Sequence, residues 1–201
     1  MCKFKTLATA AAVALTATTS FAAGHASSWT LDGSLSNVSF GSIKNDYIGE
    51  SHSFGDVSGT VSVEGAVEIT LGLASVETMI DIRNERLGQF VFQNALSATL
   101  TAALEMDALN ALETGGATTV EAYGTLNHLG LDTDVDATFF VMRLTDSQVL
   151  VTTNGMAMLS TEDAGLDDGI DDGIDKLQEL ANLDSITRVS PVTMRLVFNA
   201  D

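Results

Sequence analysis

Two histidines, an alternating run of aspartates and a few arginines are the residues whose chemistry could serve a site. His52 lies two residues from Glu50, so the pair shares a face if that segment is extended. Zinc usually takes three or four protein ligands, and His128 has no sequence link to the pair. A structural hydrogen-bonding role is therefore expected for His52, and no metal site. Asp132, Asp134 and Asp136 imitate the start of a calcium loop, but the sixth position is Ala137 where such a loop needs glycine. That run reads instead as the solvated face of a strand. Asp167, Asp168, Asp171, Asp172 and Asp175 form a denser cluster with Gly169 and Gly173 between them. Its spacing misses the EF-hand pattern, so helix capping and solubility are expected there, with weak calcium binding left open. Arg83, Glu85 and Arg86 have no recognisable nucleophile–base pair beside them, and the G-x-S-x-G motif is absent. No catalytic residue is expected, and an ion-pair and capping cluster is the reading for these three. Apolar pockets need a few polar groups to orient a ligand, and Arg83, Arg86 and Arg143 are the candidates for that task.

The elements that must carry these residues are mostly strands. Apolar side chains recur with period two, the mark of a half-buried strand. Trp29 and Leu31 make one such row, and Val38 and Phe40 another. Gly59, Val61 and Val63 lead to a turn at Glu64-Gly65, and Val67, Ile69, Leu71 and Leu73 follow it. Later rows are Ala98 to Leu104, Val120 to Leu126, Val135 to Val141, Val149 with Val151, and Val192 to Phe198. Two stretches break the rhythm. Residues 78–92 read as a charged, partly helical connection. Within Gly165 to Leu183, Ile170, Ile174, Leu177 and Ala181 recur at helical spacing. A short amphipathic helix before the last strand is expected, with Asp171 and Asp172 near its start, where the helix dipole favours negative charge.

About eight strands with one apolar face suit an all-β antiparallel barrel or sandwich. A barrel removes the exposed edges that invite aggregation. Ala98, Ala102, Ala122, Gly124 and Ala137 are small residues at apolar positions. Such residues leave room for one ligand in an eight-stranded barrel. Alternation alone leaves open whether facing Phe and Met side chains fill that room.

The chain carries 9 basic and 27 acidic residues in 201. Met1 to Ala26 reads as a secretory signal peptide: Lys3 and Lys5, an apolar Leu7–Leu15 stretch, then small residues offering cleavage after Ala23 or Ala26. The apolar stretch is shorter than the roughly 20 residues a spanning helix needs, and no transmembrane anchor is expected. Residues 27–201 would form one domain without cysteine, because Cys2 precedes the apolar stretch and would leave with it. Such a domain stands without disulfides. It would hold seven basic against 27 acidic residues, a net charge of −20. A surface of that sign repels nucleic acid and anionic lipid head groups.

The order of several short motifs resembles the YceI-like family. Trp29 precedes Ser36-Asn37-Val38-Ser39-Phe40; Glu50-Ser51-His52-Ser53-Phe54 and Val57-Ser58-Gly59 follow. Ala74-Ser75-Val76-Glu77-Thr78, Ile82-Arg83-Asn84-Glu85-Arg86 and Phe90-Val91-Phe92 come next. Gly124-Thr125-Leu126 and His128-Leu129-Gly130 look like the family's strand-and-turn, with Leu129 inserted before the glycine. Lys176 to Ala181 and Pro191-Val192-Thr193 complete the set, which spans roughly Ser28 to Asn199. The resemblance implies an extended eight-stranded lipocalin-like barrel and an exported, periplasmic protein, often dimeric. It also implies binding of a polyisoprenoid, an isoprenoid quinone or a related long amphiphile. The Asp167–Asp175 stretch is more acidic than the resemblance implies.

Alternation and resemblance together nominate Phe40, Val61, Ile69, Leu71, Phe90, Phe92, Leu100, Leu126, Phe139, Val141, Met194, Leu196 and Phe198 as ligand contacts. No cofactor beyond such a bound lipid is expected. Two rivals stand beside the carrier. A packed scaffold or stress domain predicts a filled interior. An enzyme predicts convergent titratable groups inside a pocket, whereas alternation puts nearly all Asp and Glu outside.

Overall fold

The computed structural model describes residues 27–167 and 173–201. The expected signal peptide lies outside these residues, as do Asp168, Gly169, Ile170, Asp171 and Asp172. In chain order the strands are β1 (Trp29–Leu31), β2 (Asn37–Lys44), β3 (Ile48–Phe54), β4 (Val57–Val61), β5 (Ala66–Gly72), β6 (Val76–Glu77), β7 (Ser97–Ala103), β8 (Ala117–His128), β9 (Leu131–Thr145), β10 (Gln148–Thr153), β11 (Ala157–Ser160) and β12 (Val189–Ala200). The α-helices are α1 (Asp81–Arg86), which runs into a π-turn at Leu87–Val91, α2 (Met106–Asn110) and α3 (Ile174–Ala181).

The sheet closes on itself. Its order runs β1-β4-β5-β7-β8-β9-β10-β12, and β12 returns to β1 through Trp29↔Ala200 and Leu31↔Phe198. All pairings in this ring are antiparallel. The result is a closed eight-stranded antiparallel barrel of lipocalin-like type. Two-sided pairing of long β12 extends it: Val192–Arg195 pair with β2, and Val189–Val192 pair with β11. Strands β3, β6 and β11, and helix α2, have no counterpart in the alternation. β3 carries Glu50 and His52 at positions where a half-buried strand would show apolar residues, so its period is invisible to a hydropathy reading. Helix α3 has the expected spacing: Ile174 is buried, and Leu177 packs against the core.

Asp132, Asp134 and Asp136 are exposed on β9, as a solvated strand face requires. Asp175 sits in the first turn of α3, on its dipole-favoured end. Together with Asp167 it pairs with Arg188.

The β8–β9 hairpin turns on two residues, Leu129 (φ 53°) and Gly130 (φ 83°), between paired His128 and Leu131. Two-residue hairpin turns with both φ positive favour Asn-Gly. A leucine in the left-handed region costs roughly 1–2 kcal/mol, and Leu129 is half exposed, so its side chain returns little. Leu129→Asn is therefore expected to stabilise the barrel by about 1 kcal/mol. Urea unfolding would show this as a higher midpoint at unchanged slope.

Candidate functional site

The barrel interior is not filled. A chamber of about 410 Å³ lies between β2, β3, β5, β7, β8, β9, β11 and β12 on the wall side and α1, the π-turn and α3 on the other. A second chamber of about 120 Å³ continues along the barrel beneath α2. Ile69, Leu100, Val135 and Met194 line both, so these four side chains mark the waist at which the two chambers adjoin.

The local sequence explains the character of the larger chamber. On β2 the inward residues are Val38, Phe40, Ser42 and Lys44; on β3, read back from its end, they are Phe54, His52 and Glu50. The register sets Phe40 opposite His52 and Val38 opposite Phe54. Each strand thus grades from apolar inside to charged at the hairpin. Asn45 and Asp46 take left-handed conformations in that hairpin, as short polar residues tolerate.

A charged cluster closes the polar end. Glu50 accepts from Lys44 Nζ at 2.9 Å through one carboxylate oxygen and from Arg83 Nη1 at 2.6 Å through the other. Arg83 Nη2 also donates to the Thr78 carbonyl at 2.7 Å, while the Nη1 bond to Glu50 ties α1 to the β2–β3 hairpin. Burial opposes charge on Glu50, but the bonds from Lys44 and Arg83 outweigh it and hold the carboxyl below its ordinary pKa. Arg83 Nε is buried without a partner among the described residues. Arg86 Nη1 donates to the Leu180 carbonyl at 3.4 Å, on the last turn of α3.

Arg83 pairs with Glu50 rather than within an Arg83–Glu85–Arg86 cluster, because 33 residues of chain return it beside β3. Glu50 is the one carboxylate among the described lining residues, the exception to an alternation that puts nearly all Asp and Glu outside. Its position next to two cations makes that burial tolerable.

Both described histidines are buried in the chamber wall. A row of rings links them: His52–Phe40 at 5.1 Å, Phe40–Phe54 at 5.3 Å, Phe54–Phe92 at 5.9 Å and Phe92–His128 at 6.4 Å between centroids. His52 Nε2 and Ser42 Oγ lie 3.0 Å apart, the hydrogen-bonding role expected of this histidine. That spacing also suits a nucleophile and its base, but a base needs a third group to orient it. His52 Nδ1 is buried with no partner among the described residues, so no orienting group is in place. His128 Nε2 is likewise without one.

Burial, and then the charge of Arg83, hold His52 below the ordinary imidazole value of 6.5, with Lys44 adding to the effect and Glu50 opposing it. Burial lowers His128 too, against the carbonyls of Phe92 and Ala164. A base depressed in the folded state lets the unfolded chain take up protons first. Stability is then full above about pH 6.5 and falls as pH drops toward the depressed values. The melting temperature is accordingly expected to fall between pH 7.5 and 5.5, and His128→Gln to flatten that slope. Calorimetry at closely spaced pH values checks it; an unchanged slope in the variant would refute the assignment to His128.

Of the thirteen nominated contacts, Phe40, Leu71, Phe92 and Leu126 line the large chamber. Val61, Phe139, Val141, Leu196 and Phe198 line the small one. Ile69, Leu100 and Met194 stand at the waist. Phe90 borders neither chamber; it is half-buried on the π-turn, where its neighbours Val91 and Phe92 turn inward instead. Arg83 and Arg86 line the large chamber and Arg143 the small one. Arg143 also lies over Trp29, 5.3 Å from the ring centroid. Ser42, Lys44, Glu50, His52 and His128 are lining residues that the nomination missed. For Ser42 and Lys44 the signal was present in β2, as a two-residue period whose polarity changes along the strand.

No family model matches the chain, and no curated protein matches it. Solved structures do. A polyisoprenoid-binding domain from Saccharophagus degradans, implicated in plant cell wall breakdown, superposes with a TM-score of 0.81 at 30% identity, covering 86% of this chain and 98% of that one. BcnA of Burkholderia cenocepacia matches with a TM-score of 0.59 at 14% identity, covering 83% of this chain and 98% of its own. The second likeness shows the barrel fold alone. The first, over nearly the whole of its partner and with the same closed barrel, places this chain in the YceI-like family of polyisoprenoid-binding, lipocalin-like barrels.

Proposed function

We propose that this protein binds a long isoprenoid amphiphile inside the barrel, tail in the apolar chambers and polar head at the Lys44–Glu50–Arg83 end. The observation that carries the reading is the wall of β2 and β3, which grades from Val38 and Phe54 to Lys44 and Glu50 along a cavity of about 410 Å³. A tail buries apolar surface at about 25 cal/mol per Å² before the costs of ordering it. Arg83 and Arg86, which line the large chamber, are the head-group donors in this reading. The process is binding, not bond-making. A packed scaffold would leave no such void.

Export to the periplasm is part of the proposal, supported by the basic, apolar and small-residue order of residues 1–26. Among the described residues no helix is long and apolar enough to cross a membrane. A homodimer is a further expectation from the family, open to light scattering.

The test is to purify the protein from its native host, extract it with organic solvent and identify the extract by mass spectrometry. A stoichiometric isoprenoid supports the carrier. Protein that yields no lipid and takes up no added isoprenoid refutes it.

A further inference from the structure

We infer that the smaller chamber is the end pocket of the tail, and that Ala122 and Ala137 set the longest chain the barrel accepts. This rests on the carrier reading above.

The two chambers differ in kind. The larger one is edged by Lys44, Glu50, Arg83 and two histidines; the smaller has only Asn110 and Arg143 as polar lining. A head group therefore belongs at the hairpin end, and a tail reaches the small chamber last, through the waist of Ile69, Leu100, Val135 and Met194. Beyond the waist, four small residues of the wall face one another in two pairs across strands. Ala122 pairs with Ala137 and Ala102 with Gly124. Those pairings hold the chamber open, because backbone at ladder spacing cannot collapse inward to replace missing side chains. Helix α2 lays Met106 and Leu109 across the far end, and Arg143 on Trp29 closes the side. A chain short enough to end before the waist never touches this pocket. A longer chain gains contact there until α2 stops it.

The consequence is a length-dependent effect. Ala137→Leu puts an isobutyl group where the end of a long tail would lie. Binding of farnesol, geranylgeraniol and solanesol would be measured by titration of the full chain, wild type against Ala137→Leu. The variant is expected to hold farnesol within about twofold of wild type and to lose at least about tenfold for solanesol, since each buried methylene group contributes roughly fourfold. Leu109→Ala, which opens the α2 end, is expected to shift the balance toward solanesol. Circular dichroism would check folding, and the smaller Ala102→Val substitution would serve should Ala137→Leu fail to fold. Equal loss for farnesol and solanesol, or loss for neither, overturns the end-pocket assignment while leaving the carrier reading intact. A wild-type protein that binds none of the three alcohols overturns both.

Discussion

Ala98→Trp is expected to abolish binding of isoprenoids of every length while leaving the barrel folded. Ala98 is buried on β7, opposite Leu71 of β5, and lines the large chamber. An indole there projects into a space of about 410 Å³, so the overpacking that usually costs 1–3 kcal/mol is relieved by the void. Stability is expected to change by less than about 1 kcal/mol. The affinity loss is expected to exceed about a hundredfold, because the ring displaces several methylene groups of tail at roughly 0.8 kcal/mol each. The measurement pairs ligand titration with urea unfolding. Retained binding would mean that the tail does not run past β7, and the proposed path would be wrong. This plug differs from one beyond the waist in stopping short and long chains alike.

Leu196→Ala carries the largest expected stability effect. Leu196 is 2% exposed at the middle of β12, the strand on which the barrel closes, and stands opposite Val151 of β10. It also lines the small chamber. Its truncation removes buried apolar surface and merges the space left behind with an existing void. The strands on either side are held by their ladders and cannot move in to fill it. The cost is expected at roughly 2–5 kcal/mol, the range for large-to-small changes at sites that do not collapse. For a domain of this size each kcal/mol lowers the melting temperature by about 2–4 °C. A loss below about 1 kcal/mol by chemical denaturation would show that β12 is not the rigid closing strand described here.

Much of the barrel was legible along the chain because a strand with one dry face leaves a two-residue period. The rows at Val67–Leu73, Ala98–Leu104, Val120–Leu126, Val135–Val141 and Val192–Phe198 correspond to β5, β7, β8, β9 and β12. Alternation and motif order together nominated thirteen residues, of which twelve line a chamber, since a closed barrel turns every second side chain toward one axis. Phe90, nominated from the Phe90-Val91-Phe92 motif in a stretch that breaks the strand rhythm, borders neither chamber, because a π-turn does not alternate sides. Period did not reveal β3, whose inward face carries Glu50 and His52 because it lines the charged end of a cavity rather than a packed core.

The sequence by itself determined the fold class, the helix spacing ahead of the last strand, the acidic exterior and the motif order that resembles one family. All of these depend on neighbours within a few residues or on composition. Tertiary structure alone decided that the interior is open, that it divides at a waist, and that Lys44, Glu50 and Arg83 converge. An empty volume is set by which side chains face each other across strands tens of residues apart. The partner of a charge such as Arg83 is set by the return of the chain. Neither quantity has a local signature in the order of residues.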